Sequence, residues 1–253
     1  MTGHSSAGSY KTRNRWPEPP DVPRPVSTTQ EWLDAVFLHW RIPEALAATK
    51  MPRGVGADTC DGSSWVGLIG FRLHGATIAS GPAIPYFGTF TEVNVRLYSR
   101  EPGGRRGVVF LSMDASRLAF VVAARAARIP YVWSRARFRP PLEAAGGIGY
   151  SVRRFRHGAT SDFSVTPAGD PEANDPLSIH LTARFGLHTR LLGRTLYLPN
   201  THAPWPLYRA ELASLNDQLV AAAGIKVSGP PESVLYSPGV RSTFGRPQIL
   251  GRS

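Results

Sequence analysis

Polar and apolar residues alternate most clearly over residues 90–99. The polar positions are Glu92, Asn94, Arg96 and Tyr98, and the apolar positions between them are Val93, Val95 and Leu97. A period of two residues predicts a β-strand with two different faces. A polar strand face usually meets solvent, but the segments on both sides of this strand are apolar. The pattern therefore also allows the polar face to line a wet cavity inside a barrel.

This strand leads into a hairpin and then into an apolar helix. Residues 101–113 predict a glycine-rich turn followed by a returning strand. Residues 114–127 are rich in alanine, which predicts a helix with Asp114 as its N-cap. Helical spacing places Arg125 on the apolar face, and a buried arginine requires a carboxylate partner. We expect Arg125 to pair with Glu92, with an Arg125 side chain extended to the surface as the alternative.

The rest of the chain predicts short strands, short helices and turns. The predicted strands are 54–60, 64–72, 90–99, 108–113, 131–138, 149–156, 161–166, two in the hairpin 187–198, and 233–237. The predicted helices are 43–50, 114–127, 177–185 and 212–223, with a helical turn running into a strand within 27–40. Residues 54–73 predict one antiparallel hairpin, because Asp61-Gly62 is a strong turn signal. Antiparallel hairpins dominate, which predicts an α+β fold built on a curved antiparallel sheet or incomplete β-barrel with a few short helices.

The sequence predicts one domain between two tails. Residues 1–27 are polar and rich in proline, so we expect a disordered segment. We place the domain at 28–240 and a flexible C-terminal tail at 241–253. The first residues lack the apolar core of a secretory signal, and no run of about 18 apolar residues is present. We therefore expect a cytoplasmic protein without a membrane partner, and we leave a homo-oligomer open.

Charge and cysteine content exclude several classes of function. The net charge of +11 at pH 7 suggests a nucleic-acid partner, but there are only three lysines and the arginines are spread along the chain. No aromatic-basic RNA motif or zinc finger is present, which argues against nucleic acid. The single cysteine, Cys60, excludes a disulfide framework within the chain.

Known catalytic and cofactor motifs are also missing. The sequence has no phosphate-binding glycine loop, no His-Glu-x-x-His zinc motif and no nucleophile elbow, and its histidines lack metal-ligand spacing. We expect neither a metal nor a cofactor. The remaining polar residues give Glu92 and Tyr131 as candidate catalytic residues, and His39, Asn94, Arg96, Arg125 and His202 as candidate ligand-binding residues.

Six segments resemble the YqjF-like family of uncharacterised bacterial proteins, which lies within the acetoacetate decarboxylase-like superfamily. The segments are HW at 39–40, DTCDGSSWVGLIGF at 58–71, FTEVNVRLY at 90–98, SMDASRLAFVVAARAARIPY at 112–131, LTARFGLH at 181–188 and HAPWPL at 202–207. Their order and spacing agree over roughly residues 30 to 240. The resemblance implies an acetoacetate decarboxylase-like fold, but the family has no established reaction.

The wider superfamily implies a chemistry that this sequence lacks. Those decarboxylases use a lysine that forms a Schiff base with a β-keto acid. Their motif ends in Tyr-Pro-Lys-Lys, and the resemblance places Tyr131 and Val132 where the two lysines would stand. It also matches Glu92 to a pocket glutamate and Arg125 to a pocket arginine. Without a lysine here, we do not expect Schiff-base decarboxylation.

Two functions fit these observations. The first is a pocket that binds a small oxygen-rich molecule, such as a carboxylate, through its arginines. The second is a lysine-independent lyase, isomerase or hydrolase that acts on a keto or enol substrate, with Glu92 as acid and base and Tyr131 as a hydrogen-bond donor. A purely structural module, in which the tryptophans only fill the core, is the remaining alternative.

Overall fold

The computed structural model describes residues 16–79, 81–85, 88–118, 121, 130–141, 147–156, 158–171 and 173–250. The strands in this part are β1 (Thr28–Ile42), β2 (Gly56–Ala57), β3 (Ser64–His74), β4 (Phe90–Arg100), β5 (Arg106–Ala115), β6 (Tyr131–Arg139), β7 (Ile148–Arg154), β8 (Thr160–Pro171), β9 (Gly186–Leu191), β10 (Arg194–His202), β11 (Tyr208–Asp217), β12 (Ser233–Phe244) and β13 (Gln248–Ile249). The helices are α1 (Glu44–Ala48), α2 (Pro176–Thr182) and α3 (Leu219–Ala222). The predicted α+β class with a few short helices is confirmed.

All these strands belong to one curved sheet. Their order is β13-β10-β9-β5-β6-β7-β8-β11-β12-β1-β3-β4-β2, and β4 also pairs with β5 and β10 with β12. The pairs β5–β6 and β5–β9 are parallel, and the other described pairs are antiparallel. The two additional pairings bend the sheet back on itself without forming a regular barrel. The bend leaves an apolar interior on each side of β1, β3 and β4.

Both faces of β4 are buried, because β4 lies between β3 and β5 and has one interior on each side. Its apolar face enters the larger core, which β7 and β8 complete with Tyr150 and Phe163. At Gly70 on β3, an added Cβ would lie 2.5 Å from Cδ2 of Tyr150, so this close contact requires glycine. The polar face, with Glu92 and Asn94, turns to the second interior.

The predictions for β1 and β11 are wrong. β1 is a strand from Thr28 onwards rather than a helical turn, because it pairs with both β12 and β3. A bulge between Leu33 and Val36 interrupts it, with Asp34 at a φ of 52°. The helix predicted over 212–223 is replaced by β11 and the short α3, since β11 pairs along β8. In both places, pairing with distant strands determines the backbone.

Two predictions around β2 and β5 are also wrong. Only Gly56–Ala57 forms a strand within 54–60, and its partner is β4 rather than β3. Asp114 is not an N-cap, because it lies inside β5 and is completely buried. Both its carboxylate oxygens accept hydrogen bonds from Arg154 at 2.8 Å. The arginine side chain is only 11% exposed and needs this charge, and helical backbone begins only after β5 has ended.

The chain also contacts the sheet near both ends of the described part. β12 runs to Phe244 and β13 pairs with β10, so the sheet includes residues beyond 240. The backbone N–H of Ser27 donates to the carbonyl oxygen of Phe244 at 2.8 Å. Trp16 packs against the apolar residues of the second interior. No helix among the described residues is long and apolar enough to cross a membrane.

Candidate functional site

The second interior contains a cavity of about 210 Å³ that is open on one side. Most of its lining is aromatic and aliphatic, with a few polar side chains. The polar lining residues are Thr28, Gln30, Glu92, Asn94, Arg96, Thr182, Arg184, Asn200 and His202. β4 supplies three of them at every second position, which is why the alternation was visible in the sequence. Arg184 follows α2, and the other elements that carry polar lining residues are α2, β1 and β10.

Glu92 and Tyr131 meet inside this cavity. The hydroxyl of Tyr131 donates to Oε2 of Glu92 at 2.7 Å, and Nδ2 of Asn94 donates to Oε1 at 3.2 Å. Burial raises the pKa of Glu92 to about 7, although both hydrogen bonds favour the charged form. The charge of Asp114 also raises this pKa. Glu92 can therefore hold or release a proton near neutral pH.

Asn94 has hydrogen-bonding capacity that the protein does not use. Its Oδ1 is buried and has no partner among the described residues. Rotation of the amide by half a turn would let Oδ1 accept a hydrogen bond from the O–H of protonated Glu92, and Nδ2 would then lack a partner. In either orientation, one polar atom of Asn94 remains for a bound molecule.

Arg184 is a buried cation on the cavity wall. Its Nη1 donates to Asp58 at 2.5 Å and its Nε donates to the carbonyl oxygen of His180 at 2.6 Å. Its Nη2 is buried without a partner in the described structure. Burial lowers the pKa of Arg184 to about 10, so the side chain is still charged at pH 7. Asp58 also pairs with Arg106 at 3.0 Å, so this carboxylate neutralises only part of the local positive charge.

Arg96 is the second cation of the lining. Its Nε donates to the Tyr98 hydroxyl at 3.3 Å, and its Nη2 donates to the carbonyl oxygen of Leu181 at 3.1 Å. No described carboxylate forms an ion pair with Arg96. The guanidinium groups of Arg96 and Arg184 lie 5.5 and 4.9 Å from the centre of the Tyr98 ring. Two positive charges therefore converge on one side of the cavity.

The two predicted histidines occupy different positions. His202 lines the cavity, and its Nδ1 lies 2.7 Å from the carbonyl oxygen of Ala203. His39 is completely buried outside the lining, with Nε2 at 2.6 Å from the hydroxyl of Tyr98. Burial lowers the pKa of both histidines, so both are neutral at pH 7. The ligand contact predicted for His39 does not fit this position, and His39 instead supports the tyrosine beneath Arg96.

Comparison with known proteins identifies the family. A family model described as "Uncharacterized conserved protein", DUF2071, matches residues 29–241. The chain belongs to the DUF2071 family. It is 28% identical over 207 residues to the uncharacterized protein YqjF of Bacillus subtilis strain 168, which covers 81% of this chain and 83% of YqjF.

Solved structures show the fold of this DUF2071 protein. Acetoacetate decarboxylase from Legionella pneumophila aligns with a TM-score of 0.65 at 12% identity, covering 99% of this chain and 98% of that one. The enduracididine biosynthesis enzyme MppR, complexed with pyruvate, aligns with a TM-score of 0.60 at 12% identity, covering 88% and 90% of the two chains. The resemblance to the YqjF-like family and to the acetoacetate decarboxylase-like fold is confirmed.

Within this family member, no described lysine reaches the cavity. Lys50 and Lys226 are absent from the lining, whereas Tyr131 is part of it. Arg125 lies outside the described residues, so its pairing with Glu92 stays a prediction. No cluster of three or more metal-binding side chains occurs among the residues that the structure describes.

One further arrangement resembles a catalytic triad but lies outside the cavity. His188 joins Ser99 at 2.8 Å through Nδ1 and Glu101 at 2.8 Å through Nε2. Ser99 is completely buried, and none of the three residues lines the cavity. A substrate cannot reach this serine, so we assign the arrangement to structure.

Four lining residues were not predicted as site residues from the sequence: Arg184, Asn200, Trp32 and Trp205. One signal for Arg184 was available, because this arginine stands between apolar residues in the family segment LTARFGLH. A charged residue in an apolar segment indicates a buried functional or structural role. The other three residues had no local signal.

Proposed function

We propose that this DUF2071 protein binds a small carboxylate in the cavity, with Arg96 and Arg184 as the anion-binding groups. The observation that carries the proposal is the imbalance of charge. Glu92 is the only carboxylate among the described lining residues, and its pKa of about 7 leaves it partly neutral. An anion in the cavity would neutralise the excess positive charge of Arg96 and Arg184, and it would accept a hydrogen bond from the free Nη2 of Arg184.

The apolar lining supports the same function. A guanidinium–carboxylate interaction is stronger in a cavity that excludes water than at the surface, because the local dielectric constant is lower. Arg184 is held by Asp58 and by a backbone carbonyl, so its orientation is fixed before the ligand arrives. Such preorganisation reduces the entropy that binding would otherwise cost.

Calorimetric titration tests this proposal with pyruvate, the carboxylate of the MppR complex, and with its neutral methyl ester. We expect the acid to bind and the ester to bind at least about tenfold more weakly, since a charged hydrogen bond contributes about 1.5–3 kcal/mol. Arg96→Met should weaken acid binding by a similar factor without leaving a buried carboxylate unpaired. Arg194→Met, at an exposed position on β10, is the matched control. Equal binding of acid and ester, or an unaffected Arg96→Met variant, would contradict the proposal.

The pH dependence of binding provides a second test. Deprotonated Glu92 would repel a bound carboxylate, so affinity should fall as the pH rises through about 7. Glu92→Gln carries no charge at any pH, and its affinity should lose this dependence. An affinity that rises with pH in the unmodified protein would show that Glu92 does not face the anion.

A second candidate function is acid–base catalysis on a keto acid. The observation that favours it is the pKa of Glu92, which lies near neutral pH where a general base is most effective. In the proposed step, the Glu92 carboxylate removes a proton from the carbon next to the carbonyl. The C–H electron pair forms the enolate, and the proton stays on Glu92 until it exchanges with solvent.

Deuterium exchange distinguishes catalysis from binding alone. In D2O, the proposed step replaces the methyl protons of pyruvate with deuterium, which proton NMR follows directly. Loss of exchange in Glu92→Gln with binding retained would support an enzyme. Binding without exchange above the rate in buffer would leave the binding function and reject this step.

A further inference from the structure

We propose that the carboxylate bound in this cavity carries a flat apolar ring, so that the ligand is an aryl-substituted short-chain acid. This inference rests on the proposed function, because it assigns the part of the ligand that the arginines do not hold. Six aromatic side chains of the lining form what we call the aromatic wall. The wall consists of Trp32, Phe37, Phe71, His202, Trp205 and Phe244.

The aromatic wall is continuous around Trp32. The Trp32 ring lies parallel to Trp205, with an interplanar angle of 7° and ring centres 5.7 Å apart. The rings of Phe71, His202 and Phe244 lie 5.9–6.0 Å from Trp32 at steeper angles. Mixed parallel and edge-on contacts are the geometry that aromatic groups prefer. A flat ring of the ligand can extend the same arrangement, whereas a bulky non-planar group fits it less well.

The wall is directly connected to the anion-binding side. The guanidinium of Arg96 lies 5.7 Å from the ring centre of Phe37, and Phe37 contacts Trp205 edge-on with ring centres 5.3 Å apart. A ligand that places its carboxylate on Arg96 therefore brings the rest of its chain against aromatic rings. A short linker between the carboxylate and the ring is sufficient to bridge the two parts.

The size of the cavity fits this ligand class. A cavity of about 150 Å³ lined by apolar side chains binds benzene. The cavity here has a volume of about 210 Å³, which leaves room for a six-membered ring and a short carboxylate chain. A ligand as small as pyruvate would leave most of the aromatic wall without contacts.

Three acids with the same carboxylate test the inference by calorimetric titration of the full-length protein: propanoate, 3-cyclohexylpropanoate and 3-phenylpropanoate. Burial of a phenyl ring contributes about 1.5–3 kcal/mol, so 3-phenylpropanoate should bind about ten- to hundredfold more tightly than propanoate. The cyclohexyl acid has a ring of similar size that cannot stack. It should bind about two- to tenfold more weakly than the phenyl acid. Competition with excess propanoate checks that the acids share one site.

One variant and its control test whether the phenyl ring of the ligand lies against the aromatic wall. Trp32→Leu removes the centre of the aromatic wall and should abolish most of the preference for the phenyl acid. Trp133→Leu is the matched control, because Trp133 is 40% exposed and lies outside the lining. Tighter binding of the phenyl acid that is lost only in Trp32→Leu supports the inference. The wild-type titrations decide the question even where a variant fails to fold.

The outcomes separate this inference from the proposed function. Equal affinity for all three acids would overturn the aryl inference and leave carboxylate binding in place. A cyclohexyl acid that binds as tightly as the phenyl acid would also overturn it, because the wall would then select size rather than planarity. No binding of any acid would refute the proposed function and this inference together.

Discussion

Replacement of Glu92 by glutamine gives the sharpest test of the electrostatics of the cavity. Glu92 is 1% exposed, and burial raises the pKa of its carboxyl group from 4.5 to about 7. A raised pKa means that the folded protein binds more protons than the unfolded chain between these two values. The free energy of unfolding therefore falls as the pH rises from about 4.5 to about 7. Above pH 7 the contribution of Glu92 no longer changes with pH.

The size of the effect follows from the pKa difference. Each tenfold change in the proton-binding constant corresponds to about 1.4 kcal/mol, so a rise from 4.5 to about 7 amounts to about 3 kcal/mol. Glutamine does not titrate and still offers an oxygen to the hydroxyl of Tyr131. Relative to the variant, the unmodified protein should lose about 2–3 kcal/mol of stability between pH 5 and pH 8.

Urea unfolding at pH 5, 6, 7 and 8 measures this difference for both proteins. Subtraction of the two curves cancels the other titrating groups, provided that the slope of each urea transition is unchanged. Glu232→Gln, at a half-exposed surface ion pair with Arg41, controls for the change from acid to amide. A difference that stays constant with pH, or that grows in favour of the unmodified protein, would refute a buried Glu92 with a raised pKa.

Three further predictions concern the surroundings of the cavity. Tyr131→Phe removes a donor that favours charged Glu92, so a carboxyl ¹³C titration should place the pKa of Glu92 higher than in the unmodified protein, and a lower value would contradict the geometry. Gly70→Ala places a methyl group against the ring of Tyr150 and should destabilise the protein by about 1–3 kcal/mol in thermal unfolding, with carboxylate binding unchanged. Asp114→Asn leaves its mostly buried partner, Arg154, without a countercharge. The variant should lose about 3–5 kcal/mol, and the pKa of Glu92 should fall because a nearby negative charge is gone.

Local sequence patterns predicted the elements whose signals lie within a few residues of each other. The alternation of β4 and the glycine-rich turn after it gave the hairpin of β4 and β5 with nearly correct limits. The helix predictions for residues 27–40 and 212–223 were wrong because the contacts that determine these segments are distant in the sequence. Both segments carry helix-forming residues, but they pair with strands far away in the sequence, and those hydrogen bonds override local propensity.

The candidate site was predictable in part. Glu92, Asn94 and Arg96 were found because one strand presents them with a period of two, and Tyr131 was found among the polar residues that remained once known motifs were excluded. Arg184 was missed as a site residue, because its approach to Arg96 depends on where α2 ends against β4. No local pattern encodes that position.

The sequence by itself determined the family, the two-faced strand β4 and the lack of a lysine within residues 90–135. It could not decide whether the polar face of β4 meets solvent or a cavity, because a period of two defines faces but not what covers them. The tertiary structure decided this by pairing β4 with β5 and by bringing β9 and β10 across the polar face. The same burial raises the pKa of Glu92, so the chemistry of this residue depends on contacts between distant parts of the chain.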